Sequence, residues 1–273
     1  MFNPDNAWRR VASAVYQKPK DSRIMGSVEL DITDLEKYVQ TLRADGIRVS
    51  YTHYFALAIA KALCECVPEF NTYVRRGKVL IRETIDVSIS VLSNDGKQMD
   101  AITIRSADKL SLQDFTQLAN QHISASKNSD DGRKKKAQKM LANIPWPLRG
   151  LFFRLIKFLT LELGFSSNTL GLKPNQYGSF VVSNIGSIGL DIGYPALLPA
   201  SNVSAVFTLG IVETLPRYKD ELVVPRRILK MGATMDHRVV DGVHGGRLFK
   251  YLKRMVENPK LIDENIASTE NLI

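Results

Sequence analysis

The spacing of apolar and polar residues predicts a chain in which strands and helices both recur. Residues 23–31 alternate between the two kinds of side chain, as a half-buried strand does. The same criteria predict further strands at 71–75, 78–82, 85–92, 99–105, 179–184, 203–212 and 222–235. Turn residues such as Arg76-Gly77 join neighbouring strands as in hairpins. Hairpins mixed with helices favour an α/β layered sandwich with a mixed sheet over a doubly wound parallel sheet.

Apolar residues recur with helical spacing in five other segments. These lie at 5–17, from Thr33 to Gly46, at about 54–66, from Ser111 onward and at about 243–256. The sequence Thr33-Asp34-Leu35-Glu36 has the pattern of a capping box at the start of the second helix. The third helix has almost no polar face, so we expect it to be buried.

The length and the charge distribution limit the classes of protein that need to be considered. A chain of 273 residues, 44% of them hydrophobic, is long enough for one large domain or two small ones. The formal charge is +9, but nine basic and two acidic residues lie between Lys127 and Lys157. Most of the excess charge is therefore local, and the rest of the chain is close to neutral.

The cysteines and the apolar runs bear on the compartment. Cys64 and Cys66 are two positions apart, which is neither a metal-binding nor a redox spacing, so no disulfide framework is implied. The N-terminus has no secretory pattern, and no run of 18 apolar residues occurs. We therefore expect a cytoplasmic location. Nucleotide-binding glycine motifs are absent from the sequence.

One candidate for chemistry is the stretch 236–242, which reads DHRVVDG. An imidazole such as that of His237 can take and return a proton near neutral pH, although an isolated histidine at a strand end is more often structural. Asp241 and Gly242 give a turn signal where the strand must reverse into a helix. The Asp241 carboxylate would fix this turn by pairing with an arginine, for which Arg238 and Arg10 are both candidates.

A second candidate is the stretch 179–186, in which Ser183 and Asn184 end a predicted strand. A serine hydroxyl at that place can donate a hydrogen bond to the oxyanion of a tetrahedral intermediate. The alternative is a strand end without chemistry. The remaining histidines, at 53, 122 and 244, have no metal-binding spacing, so we expect them to be structural or exposed and predict no metal site.

Taken together, the two stretches resemble the catalytic domain of the dihydrolipoamide acyltransferases of 2-oxo acid dehydrogenase complexes, a domain that is similar to chloramphenicol acetyltransferase. The likeness extends over most of the chain, including Arg10 beside Trp8 and the segments 28–33, 67–71, 77–82 and 172–174. It implies a chloramphenicol acetyltransferase-like two-layer sandwich, in which helices pack on a mixed β-sheet.

The resemblance also implies roles for the candidate residues. His237 would be the general base, and Ser183 would donate to the oxyanion. Asp241, with Arg10 as its salt-bridge partner, would hold the catalytic loop, supported by Asn184 and Gly242. Acyl-coenzyme A would be the acyl donor, and a lipoyl group on a separate protein is one candidate acceptor. The active site would lie between subunits of a homotrimer.

Two departures from the family are visible. The chain starts at the catalytic core, so we expect a single catalytic domain over 1–273 with no lipoyl arm of its own. An insertion at about 127–170 contains the basic stretch Arg133–Lys139 and the hydrophobic stretch Leu148–Phe165. The insertion is typical either of a helix lying on an anionic membrane surface or acidic partner, or of a helical cover over the active-site mouth or a neighbouring subunit. Nucleic-acid binding is not expected.

Three functions remain open from the sequence alone. The first is a coenzyme A-dependent acyltransferase that transfers an acyl group directly, without a covalent acyl-enzyme. The second is a non-catalytic trimeric scaffold of the same fold, and the third is a stand-alone acetyltransferase for a small molecule. The presence of His237, Asp241 and Ser183 together favours the first.

Overall fold

The computed structural model describes residues 22–92, 99–128, 145, 148–166, 174–198 and 201–264. Eight strands and five α-helices occur among these residues. The strands are β1 (Arg23–Asp31), β2 (Thr72–Arg75), β3 (Lys78–Ile81), β4 (Val87–Leu92), β5 (Met99–Ile104), β6 (Phe180–Asn184), β7 (Ala205–Lys219) and β8 (Leu222–Asp236). The helices are α1 (Thr33–Ala44), α2 (Tyr51–Glu65), α3 (Leu112–Asn128), α4 (Leu148–Lys157) and α5 (Gly242–Glu257).

Six of the strands form one mixed sheet in the order β1-β8-β7-β6-β4-β5. The pairs β4/β6 and β6/β7 are parallel, whereas β1/β8, β7/β8 and β4/β5 are antiparallel. The strands β2 and β3 form a separate antiparallel hairpin. Its turn residues Arg76 and Gly77 both have positive φ, as a tight hairpin turn requires. The mixed sheet predicted from the sequence is confirmed.

The helices α1, α2, α3 and α5 pack against the sheet and one another and form the second layer of the sandwich. The helix α2 is the centre of this layer, and its side chains from Thr52 to Ala60 are all buried. It begins at Ser50, whose hydroxyl accepts a hydrogen bond from the His53 N–H (3.2 Å). Burial of both faces explains the lack of a polar stripe in its sequence.

The described part of the 127–170 segment is mainly α4, which continues as a π-helical turn over Phe158–Glu162. Arg75 Nε on the β2–β3 hairpin donates to the Glu162 carbonyl (3.0 Å) and ties this segment to the hairpin. Leu151 and Leu155 are more than half exposed. No helix in the described ranges is long and apolar enough to cross a membrane.

The predicted capping box at Thr33–Glu36 is wrong. Thr33 is already the first helical residue, and its hydroxyl donates to Asp31 Oδ1 (2.6 Å) instead of accepting from the helix. The Glu36 carboxylate accepts from Arg227 Nε (3.1 Å) on β8. Neither side chain therefore makes the hydrogen bond to the helix backbone that a capping box requires. The predicted helix at 5–17 and the basic stretch Arg133–Lys139 lie outside the described residues.

Candidate active site

His237 lies on the loop that follows β8, where about half of its side chain is exposed. Its backbone N–H donates to the Ser22 carbonyl (2.7 Å), which fixes the start of the loop. The ring Nδ1 is 3.1 Å from the Val240 carbonyl oxygen and 3.1 Å from Asp241 Oδ1. Because both neighbours are acceptors, the neutral ring carries its proton on Nδ1. Nε2 is then left with the free lone pair that a general base needs.

The buried carboxylate of Asp236 anchors the same loop. It accepts hydrogen bonds from Arg238 Nε (2.9 Å) and Arg238 Nη2 (2.6 Å). Burial alone would raise the pKa of Asp236, but the bonds from Arg238 hold it below the usual value. Arg238 was one of the two partners considered for Asp241. It binds Asp236 instead, so that expectation is wrong.

Asp241 is the N-terminal cap of α5. Its backbone N–H donates to His244 Nδ1 (2.8 Å), and its carbonyl oxygen accepts from the His244 N–H (3.0 Å). His244 Nε2 lies 3.6 Å from Glu69 Oε1. A histidine at the third helical position therefore serves as the capping-box acceptor that is more often a glutamate or glutamine.

Two of the expected supporting residues receive no explanation within the single chain. Gly242 is the first residue of α5, and a Cβ placed there would meet no atom within 4 Å. Its backbone therefore does not require glycine for space. Arg10, the other expected partner of Asp241, lies outside the described residues.

Ser183, near the end of β6, lines a cleft of about 210 Å³, here called the Ser183 cleft. Its apolar walls are Ile89, Val91, Leu92, Ile123, Ile185 and Ile188. Its polar lining includes His53, which is 5% exposed. Burial, and secondarily the charge of Arg43, lowers the pKa of His53 to about 4, so that the ring is uncharged at neutral pH.

The loop after Ser183 is held close to the sheet by Asn184 and Gly186. Asn184 Oδ1 accepts from the Ser187 N–H (3.2 Å), and its Nδ2 donates to Thr52 Oγ1 on α2 (3.3 Å). A Cβ at Gly186 would lie 2.5 Å from the Gly210 carbonyl oxygen of β7. Only a residue without a side chain allows this approach, which explains the glycine of the 183–186 stretch.

The Ser183 cleft adjoins a second groove of about 500 Å³, here called the arginine groove. His53, Ser50 and Ile123 line both spaces and form the wall between them. Arg43 and Arg48 line the far part of the groove. Two arginines therefore line a groove directly beside the mostly apolar cleft that Ser183 lines.

Ser183 and His237 do not meet within one chain. In the sheet, Ser183 is opposite Thr208 on β7, and Thr208 is opposite Gly232 on β8. His237 lies five residues beyond Gly232. Two strand spacings and five residues of extended chain separate the two residues by roughly 15–20 Å. Within one chain, the two side chains therefore lie too far apart to contact the same reacting atom.

Three residues of these two regions were not predicted as parts of a site: His53, His244 and Glu69. No spacing in the sequence connects them with the 236–242 or 179–186 stretches. His244 carried a local signal, since it is at the third position of a helix that begins after an aspartate. The positions of His53 and Glu69 depend on packing between elements that are distant in the sequence.

Comparison with known proteins identifies the class to which this fold and these residues belong. The family model described as 2-oxoacid dehydrogenases acyltransferase (catalytic domain) matches residues 9–136 and 164–263. These two segments make up most of the chain, so the chain belongs to this family. The resemblance drawn from DHRVVDG and the Ser183 stretch is confirmed.

Individual relatives give the same family. The chain is 25% identical over 247 residues to the dihydrolipoyllysine-residue acetyltransferase component of the pyruvate dehydrogenase complex of Mycoplasma capricolum. It is 25% identical over 237 residues to the succinyltransferase component of the 2-oxoglutarate dehydrogenase complex 1 of Arabidopsis thaliana. The matches cover 87% and 85% of this chain but only 45% and 42% of those relatives. The chain thus spans somewhat less than half of their length.

Solved structures confirm the predicted fold class. The probable dihydrolipoamide acetyltransferase of Listeria monocytogenes superposes with a TM-score of 0.65 at 19% identity, covering 97% of this chain and 96% of that one. Chloramphenicol acetyltransferase superposes with a TM-score of 0.50 at 15% identity, covering 87% and 89%. The two-layer α/β sandwich is therefore shared with both.

Proposed function

We propose that this protein is an acyltransferase that moves an acyl group between coenzyme A and a thiol or hydroxyl acceptor. Family membership supports the reaction class. The observation that carries the proposal is the state of His237: Nδ1 faces two acceptors, and Nε2 is therefore available as a base at an exposed position. A scaffold of the same fold would have no need of this arrangement.

In the proposed reaction, His237 Nε2 takes the proton from the acceptor thiol or hydroxyl as that group attacks the thioester carbonyl carbon. The carbonyl oxygen becomes an oxyanion, to which the Ser183 hydroxyl donates a hydrogen bond. When the tetrahedral intermediate collapses, the carbon–sulfur bond breaks and the coenzyme A thiolate recovers the proton from His237. Asp241 Oδ1, 3.1 Å from Nδ1, stabilises the imidazolium that exists between the two proton transfers.

The arginine groove and the adjoining Ser183 cleft have the chemistry that coenzyme A requires. Its phosphates are anionic groups that guanidinium groups such as those of Arg43 and Arg48 bind well. Its uncharged thiol arm suits the apolar Ser183 cleft beyond His53. The acceptor would then reach the same carbonyl from the side of His237, which a neighbouring copy of the chain supplies. This geometry supports a trimer with one site at each interface.

Two kinds of acceptor are candidates. The relatives are named for dihydrolipoyllysine residues, which supports a lipoyl group on a separate protein as the acceptor here. A stand-alone small-molecule acetyltransferase is the second candidate, favoured by the same fold in chloramphenicol acetyltransferase. Coenzyme A release measured with acyl-coenzyme A and dihydrolipoamide, compared with a set of small alcohols, separates the two.

No comparison supports a membrane contact, which was one of the two interpretations of 127–170 from the sequence, so the proposed function does not include it. The exposed leucines of α4 have no assigned role.

The test of the mechanism is the pair His237→Ala and Ser183→Ala. Loss of the base should abolish measurable turnover, and loss of a single oxyanion donor should lower kcat by about 10²–10³-fold. Both variants should keep the oligomeric state of the wild type in size-exclusion chromatography. The exposed Val223→Ala on β8 is the control and should behave as the wild type. Near-wild-type turnover by His237→Ala would exclude the proposed mechanism.

A further inference from the structure

We propose that His244 and Glu69 are positioning residues for the catalytic base, and that they act through the backbone and the carboxylate of Asp241. This inference rests on the proposed function, because it assumes that His237 is the base. It concerns a part of the site that neither the DHRVVDG stretch nor the Ser183 stretch contains.

The need for such residues follows from the exposure of the loop. Within the described part of a single chain, the side chains of His237 and Asp241 are 51% and 65% exposed, so its packing holds neither of them closely. Their mutual contact, 3.1 Å from Nδ1 to Oδ1, fixes the ring only if the Asp241 backbone is itself fixed. A catalytic group that moves by about 1 Å can lose two orders of magnitude in rate.

His244 supplies that fixation. Its Nδ1 accepts from the Asp241 N–H at 2.8 Å, and its own N–H donates to the Asp241 carbonyl oxygen at 3.0 Å. Both backbone polar groups of Asp241 are therefore bonded to one residue. Only 17% of the His244 side chain is exposed, so the ring is held more firmly by packing than the side chains of His237 and Asp241, although its bond to the Asp241 N–H lies at the surface.

The bond to Asp241 also defines the tautomer of His244. Since Nδ1 accepts a hydrogen bond, it carries no proton, and the neutral ring must carry its proton on Nε2. Nε2 lies 3.6 Å from Glu69 Oε1, so the carboxylate faces the proton-bearing nitrogen. A carboxylate in that place favours the tautomer and the ring orientation that the Asp241 bond requires, as second partners of histidine ligands do.

Glu69 is a suitable anchor because its own backbone is held by the core. It belongs to the short 3-10 turn Pro68–Asn71 after α2. The next residue, Phe70, is fully buried, and the Thr72 hydroxyl donates to the Glu69 carbonyl (2.7 Å). The chain of contacts from Glu69 through His244 and Asp241 to His237 therefore connects the buried layer of helices to the exposed base.

Steady-state kinetics on four variants and one matched control test the proposal. His244→Ala should lower kcat about tenfold and leave the KM for acyl-coenzyme A unchanged, because the base is displaced and the coenzyme A path is not. His244→Gln should recover most of kcat, since a glutamine at this helical position can reach back to the same N–H. Lys253→Ala, an exposed substitution on the same helix, is the matched control and should have wild-type kinetics.

The variant Glu69→Ala and the double variant with His244→Ala separate a positioning chain from two independent defects. Glu69→Ala should lower kcat by a smaller factor, and the double variant should be no slower than His244→Ala alone, since both remove one connected unit. Wild-type kcat in His244→Ala, no recovery in His244→Gln, or multiplicative effects in the double variant would each overturn the proposal. Turnover by His237→Ala would instead overturn the proposed function, whatever His244 does.

Discussion

His237 and His244 lie seven residues apart in the sequence, and their neutral rings carry the proton on different nitrogens. Nδ1 of His237 contacts two acceptors and holds a proton, whereas Nδ1 of His244 accepts a backbone N–H and holds none. The sequence places both residues near the start of α5 but does not distinguish them. The neighbouring atoms decide which ring nitrogen is free, and hence which histidine can act as a base.

His53 differs from both, because its ring is buried and uncharged. This burial leads to a prediction for folding stability. Its pKa is about 4 in the folded chain, against 6.5 as the ordinary value. As the pH falls from 6.5 towards 4, the unfolded chain takes up a proton that the folded chain does not. Folding stability should therefore fall over this window, by about 3 kcal/mol in total.

Urea denaturation of the wild type and of His53→Gln from pH 7 to pH 4 measures this contribution. The carboxylates titrate in both proteins, so the difference between the two curves isolates the histidine. The wild type should lose stability more steeply with falling pH. Parallel curves would show that His53 does not stay neutral in the folded chain.

At the scale of elements, apolar spacing in the sequence predicts where strands and helices lie, whereas close contacts between backbones determine the course of the loops. The predicted strands, and the four predicted helices that fall within the described residues, lie within a few residues of their predicted positions, because apolar spacing reports which face is buried. The strand β7 is longer than predicted and extends to Lys219. A glycine-containing loop after Ser183 was predicted but its course was not, since that course depends on a contact between Gly186 and β7.

The substitution Gly186→Ala tests that contact. The new Cβ would lie 2.5 Å from the Gly210 carbonyl oxygen, so the backbone on one side must move. We expect a loss of about 1–3 kcal/mol in unfolding free energy, as for other overpacked sites. Gly246→Ala in α5, where a Cβ meets no atom within 4 Å, should be neutral or slightly stabilising. Equal denaturation midpoints for the two variants would contradict this account.

At the scale of the whole molecule, the main finding is the separation of Ser183 from His237 across β7 and β8. Each chain presents His237 after β8, next to the edge strand β1, and Ser183 in the middle of the sheet. Under the proposed mechanism, a complete site would take one of each from neighbouring copies, as in the trimer that the family resemblance implies.

Mixed oligomers test the shared site. When Ser183→Ala and His237→Ala chains are co-assembled in equal amounts, random trimers should have about one quarter of their interfaces intact, since each interface takes one residue from each neighbour. About a quarter of the wild-type specific activity should return. A site within one chain would always retain one defect, so the absence of recovery would exclude the shared site.

The sequence by itself determined the class of fold, the family and the residues His237, Asp241 and Ser183. Apolar spacing and short motifs are local, and both can be read without knowing how distant segments pack. The tertiary structure decided which distant residues lie behind them: Glu69 beside His244, which bonds Asp241, and His53 beside Ser183. These contacts join segments 130 to 175 positions apart. Hydrogen bonds and burial at such distances depend on the packed chain, so no local pattern of residues encodes them.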